Sequence, residues 1–403
     1  MPLNPITATK EIEKRYSQYL STTFNINDAE LQNKFLHELS QKNRFIKGPI
    51  LEATPPFKKG KNIEDLIIEG VLCEEFKKLN SPDLPIQRGL YLHQEKAVRK
   101  IITEKRNIIA ATGTGSGKTE IFMIPILNYL FTQKEKGKLT HGVRALLLYP
   151  MNALANDQLK RMRNLLHNYP DITFGSYTGE TEERERDALE KYRKMFNGDE
   201  PLKNELLSRE KMKKQPPHIL ITNYAMLEYL LLRPDDNVFF DGPYAGNWKF
   251  IVLDEVHTYT GAKGIEMSML LRRLKERVLT DNSPKLQFIG TSATIGRGKK
   301  DFQKVAEFGE KLFGEEVSWE DFNERKQDII YGERLPVEIS KESWGKPDAV
   351  LYERLCSIIE RSDRVDIVNS LLETARDHRV PLQVINMARE NNPKGGYHGV
   401  LCF

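Results

Sequence analysis

The sequence is poor in cysteine, has little excess charge of either sign and contains no long apolar run. Its three cysteines, Cys73, Cys356 and Cys402, are odd in number and too far apart for a CxxC zinc ligand pair, so they fit a reducing compartment rather than a disulfide scaffold. The 61 basic residues against 57 acidic ones leave a net charge of +4. This balance excludes a protein that coats nucleic acid with bulk positive charge. Any nucleic-acid-binding site must therefore be a local basic stripe.

Signals for export and for membrane insertion are also missing. The start, MPLNPITATKEIEK, has no apolar core of the signal-peptide type. The longest apolar stretch, Ile121–Phe131, contains Pro125 and Asn128 and is too short to span a bilayer. A hydrophobic share of 39% and a charged share of 29% exclude a disordered or fibrous chain. We therefore expect a soluble, cytoplasmic protein of two or three domains with no membrane partner.

Residues 1–85 are predicted to form a helical accessory region. They lack the short β-branched runs that are typical of strands, and their apolar residues recur at helical spacing. The segment GPILEATPPFKKGKN, with its glycines and prolines, marks a break within the region. The predicted helices are Thr9–Leu20, Asp28–Leu39 and Ile63–Leu79.

Residues 86–298 change to short apolar runs that alternate with amphipathic stretches. Most runs are nearly continuous in apolar residues, as strands buried on both faces of a parallel sheet should be. Repeated βαβ units give this alternation, so we predict an α/β domain with a mostly parallel sheet. The predicted strands are Asn107–Ala111, Ala145–Tyr149, Ile172–Tyr177, His218–Thr222, Phe250–Leu253 and Leu286–Gly290.

Two other segments have distinct compositions. Residues 179–215 hold ten acidic and ten basic side chains with few apolar ones, which predicts a solvated helical insertion. Residues 299–403 begin with an amphipathic helix that includes Phe302, Val305 and Leu312 on its apolar face.

A glycine-rich turn, TGTGSGKT, follows the first predicted strand and leads into a helix. Glycines let successive backbone N–H groups curl around phosphate oxygens, and the helix N-terminus adds its positive end. Lys118 would reach the terminal phosphates of a nucleoside triphosphate, and the Thr119 hydroxyl would ligate Mg²⁺. The strict GxxxxGKT pattern has glycine where this chain has threonine, but the strand–loop–helix context matches. The predicted phosphate loop comprises Thr112, Gly113, Thr114, Gly115, Ser116, Gly117, Lys118 and Thr119.

An acidic pair follows the predicted strand Phe250–Leu253. Two carboxylates at the end of an apolar strand are costly unless something cationic lies there. We therefore predict that Asp254 holds Mg²⁺ through its hydration shell and that Glu255 orients or deprotonates the attacking water.

Two weaker signals accompany these motifs. The turn Thr291–Thr294 could hydrogen-bond near Asp254 and His257 and thereby report the state of the nucleotide. Gln94 could read the edge of an adenine with its amide. Each of these is more often an ordinary polar residue when it stands alone.

The ordered set of motifs resembles the first RecA-like domain of a superfamily 2 DEAD/DEAH-box helicase. Within that superfamily, DEVHTYTGAKGIEMSMLLRRL and GPILEATPPF resemble the bacterial MrfA-like large DNA helicases, which have relatives in phage-defence loci. The resemblance covers residues 86–298. The matching motifs are Gln94, TGTGSGKT, Tyr149–Leu154, Tyr177–Gly179, Thr222–Leu227, DEVH and SAT.

The resemblance implies a RecA-like P-loop NTPase fold with ATP and Mg²⁺ as cofactors. It implies that Gln94 recognises adenine, that Thr119 and Asp254 hold the metal, and that Glu255 serves hydrolysis. The catalytic set would be Lys118, Asp254, Glu255 and His257. The residues that couple hydrolysis to movement would be Ser292, Ala293 and Thr294. The nucleic-acid track would consist of Pro150, Asn152, Thr178, Gly179, Thr222 and Asn223.

The track also has a physical rationale. Ligands of α/β sheets bind past the C-terminal ends of the strands, where the first N–H groups of the following helices can take phosphates without reading bases. The basic residues Lys160, Arg161 and Arg163 could add charge, although basic side chains on a helix surface are more often simply solvated.

One expected part of such a motor is missing. A second RecA-like domain closes over the ATP and supplies an arginine finger, and residues 299–403 contain no QxxGRxGR-type motif. We therefore predict that 299–403 is a connecting segment towards a second RecA-like domain or subunit, and that the chain is an N-terminal portion of the motor. Because loss of an arginine finger typically costs about 10³–10⁵ in turnover, the chain alone should hydrolyse ATP poorly.

Three functions stay open on the sequence alone. The first is the ATP-binding half of a DNA helicase or translocase. The second is a nucleotide-dependent nucleic-acid-binding subunit without turnover, and the third is an RNA remodelling helicase. The segment PMNALANDQ differs from the PTRELA of RNA remodellers, and His257 replaces their aspartate, so DNA is favoured over RNA.

Overall fold

The sheet at the centre of this computed structural model contains eight strands. They are β1 (Ile108–Ala111), β2 (Ala145–Tyr149), β3 (Phe174–Ser176), β4 (Glu205–Leu206), β5 (Ile219–Asn223), β6 (Phe250–Leu253), β7 (Gln287–Ser292) and β8 (Ile329–Tyr331). Their order is β4-β3-β5-β2-β6-β7-β1-β8, and every pairing between these strands is parallel. The structure describes residues 5–41, 55–79, 81–113, 115–279, 284–293, 298–335 and 349–359, with positions 373, 374 and 377.

The α-helices of the described residues are α1 (Pro5–Thr23), α2 (Ala29–Ser40), α3 (Ile63–Ile68), α4 (Leu92–Ile102), α5 (Lys118–Glu135), α6 (Asn152–Leu166), α7 (Glu185–Met195), α8 (Arg209–Lys214), α9 (Tyr224–Leu232), α10 (Gly261–Val278), α11 (Phe302–Phe313) and α12 (Ala349–Ile359). Short 3-10 helices span Glu74–Lys78, Pro234–Phe239, Gly242–Asn247, Val256–Thr258, Lys299–Asp301 and Glu324–Lys326. No helix in the described ranges is both long and apolar enough to cross a membrane.

The predicted parallel α/β architecture is confirmed. β2 and β6 have the predicted bounds, and the other four predicted strands differ only at their ends. Side chains of β2 alternate between two apolar clusters: Leu147 packs on the face covered by α5 and α6, and Leu148 on the face covered by α9 and α10. Because helices cover both faces of the sheet, the central strands are apolar throughout.

Two short strands were not predicted. β4 lies within the predicted insertion 179–215, beside the helices α7 and α8 that the composition indicated. β8 lies beyond residue 298 and pairs with β1, so the sheet extends into the segment 299–403. β4 has two residues and β8 three, too few for a pattern of their own, whereas the three-residue strand β3 lies within the longer predicted run Ile172–Tyr177.

The chain divides into two units. One is Phe57–Leu335, which holds the whole sheet, and the other combines residues 1–56 and 336–403. The predicted division into 1–85, 86–298 and 299–403 stays a prediction about domains.

The prediction of one continuous helix over Ile63–Leu79 is wrong. α3 ends at Ile68, and a separate 3-10 helix begins at Glu74. Between them Gly70 has a φ of +72°, a left-handed conformation that favours glycine and breaks the helix. The helices α1 and α2 lie where the sequence predicts helices over Thr9–Leu20 and Asp28–Leu39.

Candidate functional site

The glycine-rich turn connects β1 to the N-terminus of α5. Gly115 and Gly117 have φ values of +72° and +71°, which side-chain-bearing residues rarely adopt. A Cβ atom on Gly117 would lie 2.2 Å from Gln94 Nε2, so only glycine lets the loop approach α4 this closely. α5 begins at Lys118, and the N–H groups of its first turn have no partners within the helix. Thr114 lies outside the described residues.

The first turn of α4 is hydrogen-bonded to the backbone of this loop. Gln94, 3% exposed, donates from Nε2 to the Gly117 carbonyl at 2.9 Å and accepts at Oε1 from the Tyr91 N–H at 2.8 Å. His93 Nε2 lies 2.9 Å from the Ser116 carbonyl oxygen, and burial lowers the pKa of His93. Both ends of the Gln94 amide are therefore engaged, and adenine recognition by Gln94 stays a prediction.

The loop and the acidic pair meet. Lys118 Nζ lies 2.9 Å from Glu255 Oε1, and the two side chains are 13% and 23% exposed. Lys118 follows β1 and Glu255 follows β6, two strands that are separated in the sheet by β7. Glu255 has a φ of +50°, an unfavourable conformation for a residue other than glycine and one that is concentrated at functional sites.

Asp254 is hydrogen-bonded to β7, the strand that lies beside β6 in the sheet. The Thr291 hydroxyl donates to Asp254 Oδ1, and the Glu255 N–H donates to the same hydroxyl oxygen at 3.4 Å. Burial raises the pKa of Asp254, whereas the Thr291 hydrogen bond and the Lys118 charge act in the opposite direction. Thr291 belongs to β7 rather than to a turn, and it is this residue that bonds Asp254.

The predicted coupling residues contact the acidic motif. His257 Nδ1 lies 3.0 Å from Ser292 Oγ and 3.2 Å from Glu255 Oε2. The Ala293 N–H donates to Glu255 Oε2 at 3.3 Å. These bonds connect the end of β7 to the side chain that also holds Lys118. Thr294 lies outside the described residues.

The described residues fit Mg²⁺ only together with phosphate oxygens and water. No cluster of three or more His, Cys, Asp or Glu side chains among them could hold a metal alone. Thr119 and Asp254 supply one hydroxyl and one carboxylate, and Mg²⁺ commonly takes one or two carboxylates with substrate phosphates and retained waters. Among the buried oxygen atoms without a hydrogen-bond partner are the hydroxyls of Tyr149 and Tyr259, whose pKa values burial and Asp254 raise. Two more are Oε2 of Glu120, which follows Thr119, and Oε1 of Gln158, which contacts Thr119.

Part of the predicted track is brought together at the C-terminal ends of β2 and β5. Asn152, the first residue of α6, accepts at Oδ1 from Asn223 Nδ2 at 3.0 Å and donates from Nδ2 to Glu180 Oε1 at 2.9 Å. Asn223 Oδ1 also caps α9 by accepting from the Met226 N–H at 2.8 Å. Glu180 was not predicted, because an acidic residue in a charged insertion carries no distinctive signal.

The remaining track residues differ in exposure. Gly179 is exposed and Pro150 is half-buried at the start of the same edge. Thr178 is mostly buried and accepts from the Glu180 N–H at 3.3 Å. Thr222 is fully buried and donates to the Tyr177 carbonyl at 2.6 Å. Its side chain thus holds β5 to the end of β3 and does not line the surface.

Two of the three basic residues on α6 are engaged within the protein. Arg161 donates to Glu120 Oε1 at 2.6 Å, and Arg163 makes two bonds to Glu205, at 2.6 and 2.8 Å. These ion pairs attach α6 to α5 and to β4. The two guanidinium groups are therefore paired within the protein and not simply solvated, and their contribution of charge to the track stays a prediction.

A cavity of about 300 Å³ adjoins the phosphate loop. The Arg334 guanidinium lies 4.2 Å from the centre of the Phe57 ring, and the Lys299 ammonium lies 5.1 Å from that of Tyr331. The lining residues are Phe57, Ala111, Thr112, Gly113, Ala293, Gly298, Lys299, Phe302, Tyr331, Gly332 and Arg334. Thr112, Gly113 and Ala293 belong to predicted motifs, whereas the other lining residues come from distant segments that no local motif connects.

The fold and the two converging motifs are those of a P-loop helicase domain. The chain belongs to the DEAD/DEAH box helicase family, whose model matches residues 91–302, and the predicted family is thereby confirmed. Druantia protein DruE of Escherichia coli strain UMEA 4076-1 is 28% identical over 81% of this chain and 22% of that protein. The uncharacterized ATP-dependent helicase YprA of Bacillus subtilis strain 168 is 31% identical over 58% of this chain and 26% of that protein.

A solved structure, DUF1998 helicase MrfA bound to DNA, aligns with 86% of this chain and 45% of the other chain, at 21% identity and a TM-score of 0.49. The chain spans only about a quarter of the length of the curated relatives described above.

Proposed function

We propose that Phe57–Leu335 is the ATP-binding half of a superfamily 2 DNA helicase or translocase. The proposal is carried by one observation: Lys118 of the phosphate loop and Glu255 of the acidic pair lie 2.9 Å apart although they follow different strands. Membership of the DEAD/DEAH box helicase family supports it. In this proposal a second RecA-like domain closes over the nucleotide, and without that domain hydrolysis is weak.

The nucleotide would be bound by backbone and side-chain groups of the loop. N–H groups between Gly113 and Thr119 would take the phosphates, and Lys118 would exchange Glu255 for the terminal phosphates. Glu255 would then be able to accept a proton from the attacking water. The Ala293 N–H, which donates to Glu255 Oε2, would orient the carboxylate. Thr119 and Asp254 would hold Mg²⁺, which neutralises phosphate charge when bound.

The nucleic acid would bind at the ends of β2 and β5. The N-termini of α6 and α9 would take backbone phosphates, with Asn152 and Asn223 as side-chain donors. Such contacts do not read base identity, as a motor that moves along any sequence requires. His257 and Ser292, which connect β7 to Glu255, would transmit the nucleotide state to the second domain.

The proposal is tested by nucleotide binding and by DNA-stimulated ATPase activity. Lys118→Ala should lose nucleotide affinity, whereas Glu255→Gln should bind nucleotide more tightly than the parent chain and lose turnover. Hydrolysis that persists in both variants would reject the proposal. ATP-dependent DNA affinity without any turnover would instead indicate a binding subunit.

The choice between DNA and RNA is tested separately. Single-stranded DNA should stimulate hydrolysis more than RNA of the same length. Binding should weaken with salt, with a log–log slope of about −0.7 for each phosphate contacted. Stronger stimulation by RNA would favour a remodelling helicase.

A further inference from the structure

Helix α6 contacts both candidate sites. Its first residue, Asn152, belongs to the candidate track. Farther along, Gln158 Nε2 lies 3.5 Å from Thr119 Oγ1, and Arg161 donates to Glu120 Oε1 at 2.6 Å. Thr119 and Glu120 form the first turn of α5, directly after the lysine of the phosphate loop. One helix therefore reaches from the track to the proposed metal ligand.

The chemistry of the Thr119 hydroxyl makes the contact with Gln158 informative. A hydroxyl has one hydrogen to donate and two lone pairs. As arranged, Thr119 Oγ1 accepts from the Gln158 amide nitrogen. If the oxygen instead ligates a cation, a lone pair is taken and the hydroxyl hydrogen needs an acceptor.

Gln158 can provide that acceptor. Its Oε1 is buried and has no hydrogen-bond partner. A half-turn of the carboxamide exchanges Oε1 and Nε2, which have nearly the same size, and places the oxygen against Thr119. In the rotated amide Oε1 accepts the hydroxyl hydrogen and gains the partner that it otherwise lacks, while Nε2 takes the position that Oε1 leaves.

A second unpartnered oxygen lies at the end of β2, the strand that precedes α6. Tyr149, 1% exposed, ends β2 and has a hydroxyl without a partner. The register pairs Leu148 of β2 with Leu253 of β6, so Tyr149 and Asp254 are the next residues on adjacent strands. Buried oxygens without partners thus accompany both proposed metal ligands: one lies on α6, which begins with the track residue Asn152, and the other at the end of β2, the strand that precedes α6.

We propose that Gln158 is a positioning residue of the Mg²⁺ site. It accepts the hydrogen of the Thr119 hydroxyl when the hydroxyl oxygen ligates the cation, and it thereby ties the cation to α6. This inference rests on the proposed function, because it requires Mg²⁺ with nucleotide at Thr119. Loss of such a partner of a metal ligand typically lowers metal affinity by about 10–100-fold.

Three variants of the chain separate this role from helix packing. Gln158→Leu has a similar volume but no acceptor, whereas Gln158→Glu keeps an acceptor oxygen. Arg161→Met is the matched control, because it removes the ion pair between α6 and Glu120 of α5 and leaves the contact between Gln158 and Thr119 in place. The measurements are Mn²⁺ affinity of the ADP-bound chain by electron paramagnetic resonance, and affinity for a fluorescent ADP in EDTA.

The expected result is selective. Gln158→Leu should weaken Mn²⁺ binding by about 10–100-fold while ADP affinity in EDTA stays unchanged. Gln158→Glu should recover most of the Mn²⁺ affinity, and Arg161→Met should stay close to the parent chain.

The failures are distinguishable. If the parent chain binds neither ADP nor Mn²⁺–ADP, the proposed function itself fails. If it binds both and Gln158→Leu binds Mn²⁺ equally well, only the role of Gln158 is rejected. If Gln158→Leu loses ADP affinity in EDTA as well, or if Arg161→Met weakens Mn²⁺ binding to the same degree, the effect is one of packing and the inference is overturned.

Discussion

The ion pair between Lys118 and Glu255 should oppose nucleotide binding, because the phosphates must take Lys118 away from the carboxylate. At 2.9 Å and an effective dielectric constant of about 20, the Coulomb attraction is about 6 kcal/mol. Glu255→Gln removes the charge but keeps a hydrogen-bond acceptor, and the carboxylate regains hydration when it is released. Only a fraction of the attraction, about 1–2 kcal/mol, should therefore appear as tighter binding, which is about five- to thirtyfold in Kd.

The assay is equilibrium binding of a non-hydrolysable ATP analogue, followed by fluorescence. Glu333→Gln is the matched control, because Glu333 forms ion pairs with Lys58 and Lys96 instead of with the phosphate-loop lysine. The control should bind like the parent chain. Equal or weaker binding by Glu255→Gln would refute the reasoning, since it would mean that the carboxylate does not compete with phosphate for Lys118.

Three further predictions concern the track, the loop and the pH dependence of stability. Glu180→Gln should raise single-stranded DNA affinity several-fold at low salt, measured by anisotropy, because the Glu180 carboxylate on Asn152 repels phosphate; unchanged affinity would place the DNA elsewhere. Gly117→Ala should abolish nucleotide binding, measured by calorimetry, because φ is +71° and the new Cβ would meet Gln94; retained binding would contradict the loop geometry. Burial lowers the pKa of His218 from 6.5 to about 4, so the free energy of unfolding should fall by up to about 3 kcal/mol as the pH drops from about 6.5 to 4. Urea denaturation at a series of pH values measures this change. His218→Gln should make the free energy of unfolding less dependent on pH, and an unchanged dependence would contradict the prediction.

The sign of the pH prediction follows from the hydrogen bonds of His218. The Thr173 N–H donates to Nδ1 at 2.9 Å, and Nε2 donates to the Thr140 carbonyl at 3.0 Å. One ring nitrogen accepts and the other donates, so the folded state favours the neutral form of His218. The unfolded chain takes up a proton near the ordinary pKa of histidine. The contribution of His218 to the free energy of unfolding is therefore complete above that pH and is lost as the pH falls towards the folded-state pKa.

The sequence was sufficient for the parallel sheet and for the two principal motifs, because both are encoded locally. Runs such as Ala145–Tyr149 must be apolar on both faces, and a phosphate loop needs glycines at fixed positions before a helix. β4 and β8 were missed because their pairing depends on neighbouring strands rather than on a pattern of their own.

The side-chain partners of the site could not be predicted. Thr291 was named only as part of a Ser/Thr-rich turn, and its bond to Asp254 depends on β7 lying beside β6. Gln158 and Glu180 reach Thr119 and Asn152 from other segments, and neither stands at a recognisable spacing from its partner. Arg161 was considered as a source of surface charge, whereas tertiary packing pairs it with a carboxylate.

The central claim is that Lys118 and Asp254 act on one nucleotide–metal complex, and a double-mutant cycle tests it most directly. The measurement is the affinity of the chain for a non-hydrolysable ATP analogue with Mg²⁺, in Lys118→Ala, Asp254→Asn and the double variant. A shared site predicts that the two losses are not additive, with a coupling energy of about 1 kcal/mol or more. Losses that add within about 0.5 kcal/mol would show that the two residues act independently and would contradict the account.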